Sequence, residues 1–178
     1  MSQPTLYDIV VPTLIKHLTA LSQSLHKAQE YAESKKLSWA NFEEALLQDR
    51  LIFDQFPLVQ QVQIACDNAK GGVARLAQIE IPKYEDTEKT FDELYARIDK
   101  TLAFVQSVAP EKFVGHEESS IVLPYVPDKY LTGSDYAILY LVPNFLFHVT
   151  TAYSIMRKNG VPVGKSDYMG ELPWHPVA

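Results

Sequence analysis

The chain has 178 residues and a formal charge of −6, from 16 Lys plus Arg against 22 Asp plus Glu. Its 47% apolar and 21% charged residues form an ordinary globular balance, which excludes a largely disordered, collagenous or coiled-coil chain. The acidic surplus argues against a nucleic-acid partner, which needs a basic face. The single cysteine, Cys66, excludes an intrachain disulfide.

The length predicts one domain that buries a core without a metal or disulfide staple. Residues 1–160 read as that domain, and 161–178 as a tail that is either packed on it or loose. Met1-Ser2-Gln3-Pro4 lacks the basic and apolar regions of a leader. Together with the lone thiol, this sets the expectation of a cytoplasmic protein.

In chain order, Leu6, Val10, Leu14, Leu18, Leu21, Leu25, Ala28 and Ala32 recur by threes and fours. That spacing predicts an amphipathic helix toward Ser34. Pro12 moves its expected start from Thr5 to near Val11, because proline is cheapest in a first turn. A short helix follows Ser38. Pro57 opens a second long helix striped by Leu58, Val62, Ala65, Ala69, Val73 and Leu76. Gly71-Gly72 inside it predicts close packing. Asp86 or Thr87 caps a third helix over Phe91, Leu94, Ile98, Leu102 and Val105. Ser119 to Lys129 alternates weakly, and Pro124 and Pro127 limit it to an edge hairpin. Thr132 or Ser134 caps a fourth helix that ends at Asn159-Gly160.

From Tyr136 to Met156 there is no acidic or basic residue, a length that could span a bilayer. Pro143, Asn144, His148, Thr150, Thr151 and Ser154 argue instead for a buried core helix and no membrane partner. Four long amphipathic segments predict an all-α four-helix bundle.

The fourth helix carries the candidate chemistry. Tyr140, Asn144, His148 and Thr151 are spaced by four, four and three, a polar stripe on an apolar helix. Buried polar groups need partners, so the stripe predicts a network or a pocket. Pro143 predicts a kink beside it. His148 is either a structural histidine or an acid–base or metal-binding one. His17, at the edge of the first stripe, either turns inward beside His148 or covers that edge. His26 reads as solvated, and His116 and His175 carry no motif. Asp67 and Lys70 lie beside the second helix's apolar stripe. Periodicity reads that side as a solvated face; alternatively, small residues there would bury Asp67, with Arg75 as its partner or as a partner of Asp54. Cys66 reads as packing rather than as a thiolate. No HExxH, CxxC, GxSxG or phosphate-binding glycine loop is present.

Several runs together resemble an uncharacterised family within the DinB and YfiT-like helical bundles. They are Leu6-Tyr7-Asp8 with Val11-Pro12, and Phe56-Pro57-Leu58 with Gln61-Val62-Gln63. Asp67 with Ala69-Lys70-Gly71 and Ala74-Arg75-Leu76 follows, then Glu85-Asp86-Thr87 with Thr90-Phe91. The longest spans Pro143-Asn144-Phe145 and Phe147-His148-Val149-Thr150-Thr151-Ala152-Tyr153, with Gly160-Val161-Pro162 and Gly164-Lys165 beyond it. The resemblance implies an up-down-down-up bundle and a homodimer. It also implies a divalent metal held by three histidines, one on the second helix and two, four apart, on the last. Here His148 matches the first of that pair, Ala152 stands four residues on, and Asp67 falls near the second-helix position. A divalent ion would have to rest on His148, Asp67 and a third group, so no metal or other cofactor is expected.

Three readings remain open. The first is a metal-independent isomerase, cyclase or lyase acting on a small molecule. His148 would be its acid or base, and Asn144, Tyr140 and His17 would orient substrate. Thr151, Asp67 and Lys70 are the candidate substrate contacts. The second is a divalent-metal-dependent transferase or hydrolase of the DinB type. The third is a non-catalytic ligand-binding or dimer-forming protein.

Overall fold

A computed structural model of the protein describes residues 4–177. Met1–Gln3, where a leader was sought, and Ala178 at the end of the tail lie outside the described residues.

Helix α1 spans Leu6–Ser34 and begins earlier than Pro12 suggests. The Thr5 hydroxyl accepts from the Asp8 N–H, and the Asp8 carboxylate accepts from the Thr5 N–H. This reciprocal cap fixes the start at Leu6. Pro12 then sits inside the helix on its exposed side, where water reaches the carbonyl it leaves unpaired. Next come α2 (Trp39–Gln48) and α3 (Leu58–Leu76), with Pro57 as the cap residue rather than the first helical one. Helix α4 spans Phe91–Ser107. It starts after Thr90, not at Asp86 or Thr87, because Thr90 and Glu93 form a second reciprocal cap.

The expected hairpin is present as β1 (Ile121–Leu123) and β2 (Val126–Leu131), antiparallel, with Ile121 opposite Leu131. A single turn, α5 (Gly133–Asp135), leads into a π-helical segment, Tyr136–Leu141. Helix α6 (Val142–Lys158) follows, with Pro143 in its first turn. The break in the ladder at Pro143 is thus taken up by the π segment that precedes it. Asn159 and Gly160, the latter at φ +85°, close the helix as expected.

Helices α1, α3, α4 and α6 pack on one another. Along the α3–α6 seam, Gln61, Asn68, Gly72 and Arg75 meet His148, Asn144, Leu141 and Tyr136 in turn. Rising numbers on one helix meet falling numbers on the other, so these two run in opposite directions. A Cβ at Gly72 would overlap the Leu141 side chain, so glycine sets how closely this seam closes. Between α1 and α6, His17 meets Phe145, while Leu21 and Ser24 lie with Val149, Tyr153 and Met156. These two helices run in the same direction.

The apolar run of the last helix is less central than its composition suggests. By length and composition Gly133–Lys158 could cross a membrane, yet only 39% of its most apolar window is buried. Phe145, Val149, Ala152, Ile155 and Met156 fill the core, whereas Ile138, Leu139 and Phe147 face outward. The first part of the tail is packed. Val161 and Val163 are buried, and Lys27 reaches Asp167 of α7 (Lys165–Met169) at 2.6 Å.

Candidate functional site

The polar stripe of the last helix divides into two centres. His148 projects from α6 toward α3 and is 8% exposed. Its Nδ1 lies 2.7 Å from Gln61 Oε1. Gln61 is fixed from its other end, because its Nε2 donates to the Phe56 carbonyl at 2.9 Å. The amide oxygen must therefore face the imidazole and accept from it. This network assigns the proton to Nδ1 and leaves Nε2 with a free lone pair. Burial holds the His148 pKa below its ordinary 6.5, so the ring is neutral near pH 7. The Phe147 ring stands edge-on to it, 5.3 Å between centroids. Thr151, one turn on, gives its hydroxyl proton to the Phe147 carbonyl and keeps only acceptor capacity.

The second centre lies lower on α6. Asn144 Nδ2 donates to Asn68 Oδ1 at 3.1 Å and to the Tyr140 hydroxyl at 3.4 Å. Tyr140 in turn hydrogen-bonds Tyr125 from the hairpin. Its ring stacks on Tyr136, whose hydroxyl lies 3.5 Å from Arg75. Tyr140 and Asn144 are thus brought together, but with Asn68 and Tyr125 rather than with His148.

Of the two readings of His17, the contacts fit the one in which it covers the edge of the α1 stripe, and it makes no hydrogen bond to His148 among the described residues. The His17 Nδ1 donates to the Thr13 carbonyl at 2.9 Å, and the His17 ring packs on Phe145 and Tyr168. Burial lowers its pKa as well. Asp67 and Lys70 face elsewhere. Gln61 and Asp67 are six residues apart, which separates them by about 120° around a helix. Asp67 accepts from Arg97 at 2.8 Å and from Lys70 at 3.0 Å. Its partner is therefore Arg97 of α4, not Arg75.

Arg97 also binds Asp86 at 2.8 Å and Glu88 at 2.9 Å, with its side chain only 2% exposed. Burial opposes the Glu88 charge, but Arg97 and Gln63 outweigh it and hold its pKa below the usual range. Lys70, Arg97 and Lys100 all lie over the Tyr84 ring. This cluster ties the segment between α3 and α4 to both helices. Its residue types gave no sign of it, because Arg97 lies on a helix whose only legible pattern is its apolar stripe.

The three-histidine metal set does not fit these residues. The amide of Gln61 faces His148, Ala152 stands one turn on, and Arg97 holds Asp67 on the α4 side. Among the described residues, no three His, Cys, Asp or Glu side chains come together as an ion site. The key partner missed in the sequence is Gln61. It lies within a family-like run, but glutamine has no titration that draws attention.

The helical frame, with His148 of α6 facing Gln61 of α3, is that of a DinB-like protein. It is similar to a DinB family member protein from Shewanella denitrificans, at 44% identity and a TM-score of 0.89, over 97% of this chain and 96% of that one. Residues 6–169 match the family described as Domain of unknown function (DUF1993), and the chain belongs to that family. No match was found among curated proteins.

Proposed function

We propose that the chain is a small-molecule enzyme of isomerase, cyclase or lyase type, with metal-independent acid–base chemistry at His148. One observation carries the reading. Gln61, pinned by the Phe56 carbonyl, holds His148 as the Nδ1–H tautomer and leaves Nε2 free as a base. A neutral imidazole of lowered pKa is ready to accept a proton near pH 7. As the ring becomes cationic, Gln61 Oε1 stabilises the Nδ1–H. The proton then returns from Nε2 to another atom of the substrate or to its leaving group, so the cycle is redox-neutral. Thr151 is placed to accept a hydrogen bond from substrate.

The frame that goes with this reading is the up-down-down-up four-helix bundle. It is supported by α1 and α6 running together and α3 running against α6. The buried, lone Cys66 accords with a reducing cytoplasm. The outward Ile138 and Leu139 give a homodimer an apolar surface.

The test needs no known substrate. A panel of small ketones, hydroxy acids and amino acids is incubated with the protein in D2O, and loss of carbon-bound proton signals is followed by NMR. Exchange is expected for at least one compound, and His148→Ala should abolish it while circular dichroism keeps the helical signal. Exchange retained in the folded variant refutes the assignment.

A further inference from the structure

The Tyr125–Tyr140 pair stands at a cleft that the chemistry at His148 does not use. Its volume is about 280 Å³, and Ile121, Leu123, Tyr125, Tyr130 and Tyr140 supply much of its lining. The wall is almost wholly apolar carbon and ring face, and three tyrosines and one lysine are among the residues that line it. That lysine is Lys129, which makes no ion pair with the other described residues. Tyr140 is fixed from behind by Asn144, which is itself held by Asn68. The Asn68 Nδ2 is buried without a partner, so this chain of amides and phenols ends in an unused donor. The π segment carries Tyr140 to the cleft, a common role for such segments at binding sites.

We propose that this cleft binds a small anionic aromatic molecule, with its ring between the tyrosines and its carboxylate toward Lys129. The volume lies at the lower edge of the range for ligand pockets, roughly 300–1,000 Å³, which limits the guest to one or two rings. Flat walls of tyrosine favour a planar guest through stacking and edge contacts. The free ammonium favours an anion over a neutral isostere. The Tyr125 and Tyr140 hydroxyls offer a proton to an acceptor on the ring. Burial and the neighbouring Tyr140 push the Tyr125 pKa up, so that phenol remains a donor.

The probes are 2-naphthoate and its neutral counterpart 2-naphthamide, titrated into the full chain and followed by amide and tyrosine-ring NMR. One saturable site is expected, with shifts confined to residues 121–144 and naphthoate the tighter ligand. Lys129→Gln should weaken naphthoate roughly three-fold, as loss of an exposed ion pair does, and leave naphthamide unchanged. Val126→Trp adds a ring at the cleft from an exposed strand and should abolish binding of both. The proposal is overturned by no saturable shift, by shifts on another face, or by equal affinity for the two probes. It is overturned equally if sedimentation shows a dimer that Val126→Trp breaks, since a second copy then fills the cleft.

Discussion

At the scale of single residues, the two buried imidazoles make stability depend on pH. His17 and His148 are both held neutral by burial, so their folded pKa values lie below the ordinary 6.5. Below that value the unfolded chain takes up protons that the folded chain refuses. The sign follows from linkage: stability is full above pH 6.5 and is lost as pH falls through the folded values. Urea midpoints at pH 7.5 and 5.5 should differ, and His17→Gln with His148→Gln should flatten the difference. An unchanged slope in that double variant would place the titration elsewhere. His148 was legible in the sequence because a histidine on an apolar helix stands out. Its tautomer was not, since that depends on Gln61 from another helix and on a backbone carbonyl beyond it.

At the scale of elements, the long segment between α3 and α4 has little regular structure and is held largely by one guanidinium. Arg97 serves Asp67, Asp86, Glu88 and the Glu85 carbonyl at once. Arg97→Met leaves Glu88 and Asp86 without this cation and Asp67 with Lys70 alone, and because only Glu88 among them is well buried the loss should be about 1–3 kcal/mol. The loss should appear in denaturant melts, and hydrogen exchange should show residues 80–90 opening first. Loss spread evenly over the chain would show that Arg97 supports the core rather than the segment. The four long helices were legible because their apolar stripes have helical period, whereas α7 and the π segment were not, being too short to show a period of their own. The start of α1 was misplaced because Pro12 argued more loudly than the Thr5–Asp8 cap, and the start of α4 because Asp86 and Thr87 are also good caps. The Asp86 carboxylate is instead spent on Arg97.

At the scale of the whole molecule, the outward face of the π segment before α6 is where the proposed homodimer would pair. Ile138 and Leu139 are exposed beside a surface that is otherwise acidic overall. Sedimentation velocity over a dilution series should show a dimer, and Leu139→Glu should shift it to monomer without loss of helicity, as a charge in an apolar contact must be desolvated. A monomer at all concentrations would refute the pairing. The sequence read this helix as fully internal because its charge-free run gives no hint of sidedness. Only packing against α1 and α3 separates Phe145 and Val149 from Leu139 and Phe147.

Cys66 offers a last consequence. It is fully buried on α3, and burial is the main reason its thiol is pushed up to about 12. A thiol that ionises so reluctantly and has no access to solvent reacts only when the surrounding helices part. The rate at which a coloured disulfide reagent modifies the native chain is therefore a clock for that parting, readable in a cuvette. The same silence makes the protein a clean host for a dye. A cysteine introduced on the surface would be labelled alone, with no need to remove the native one.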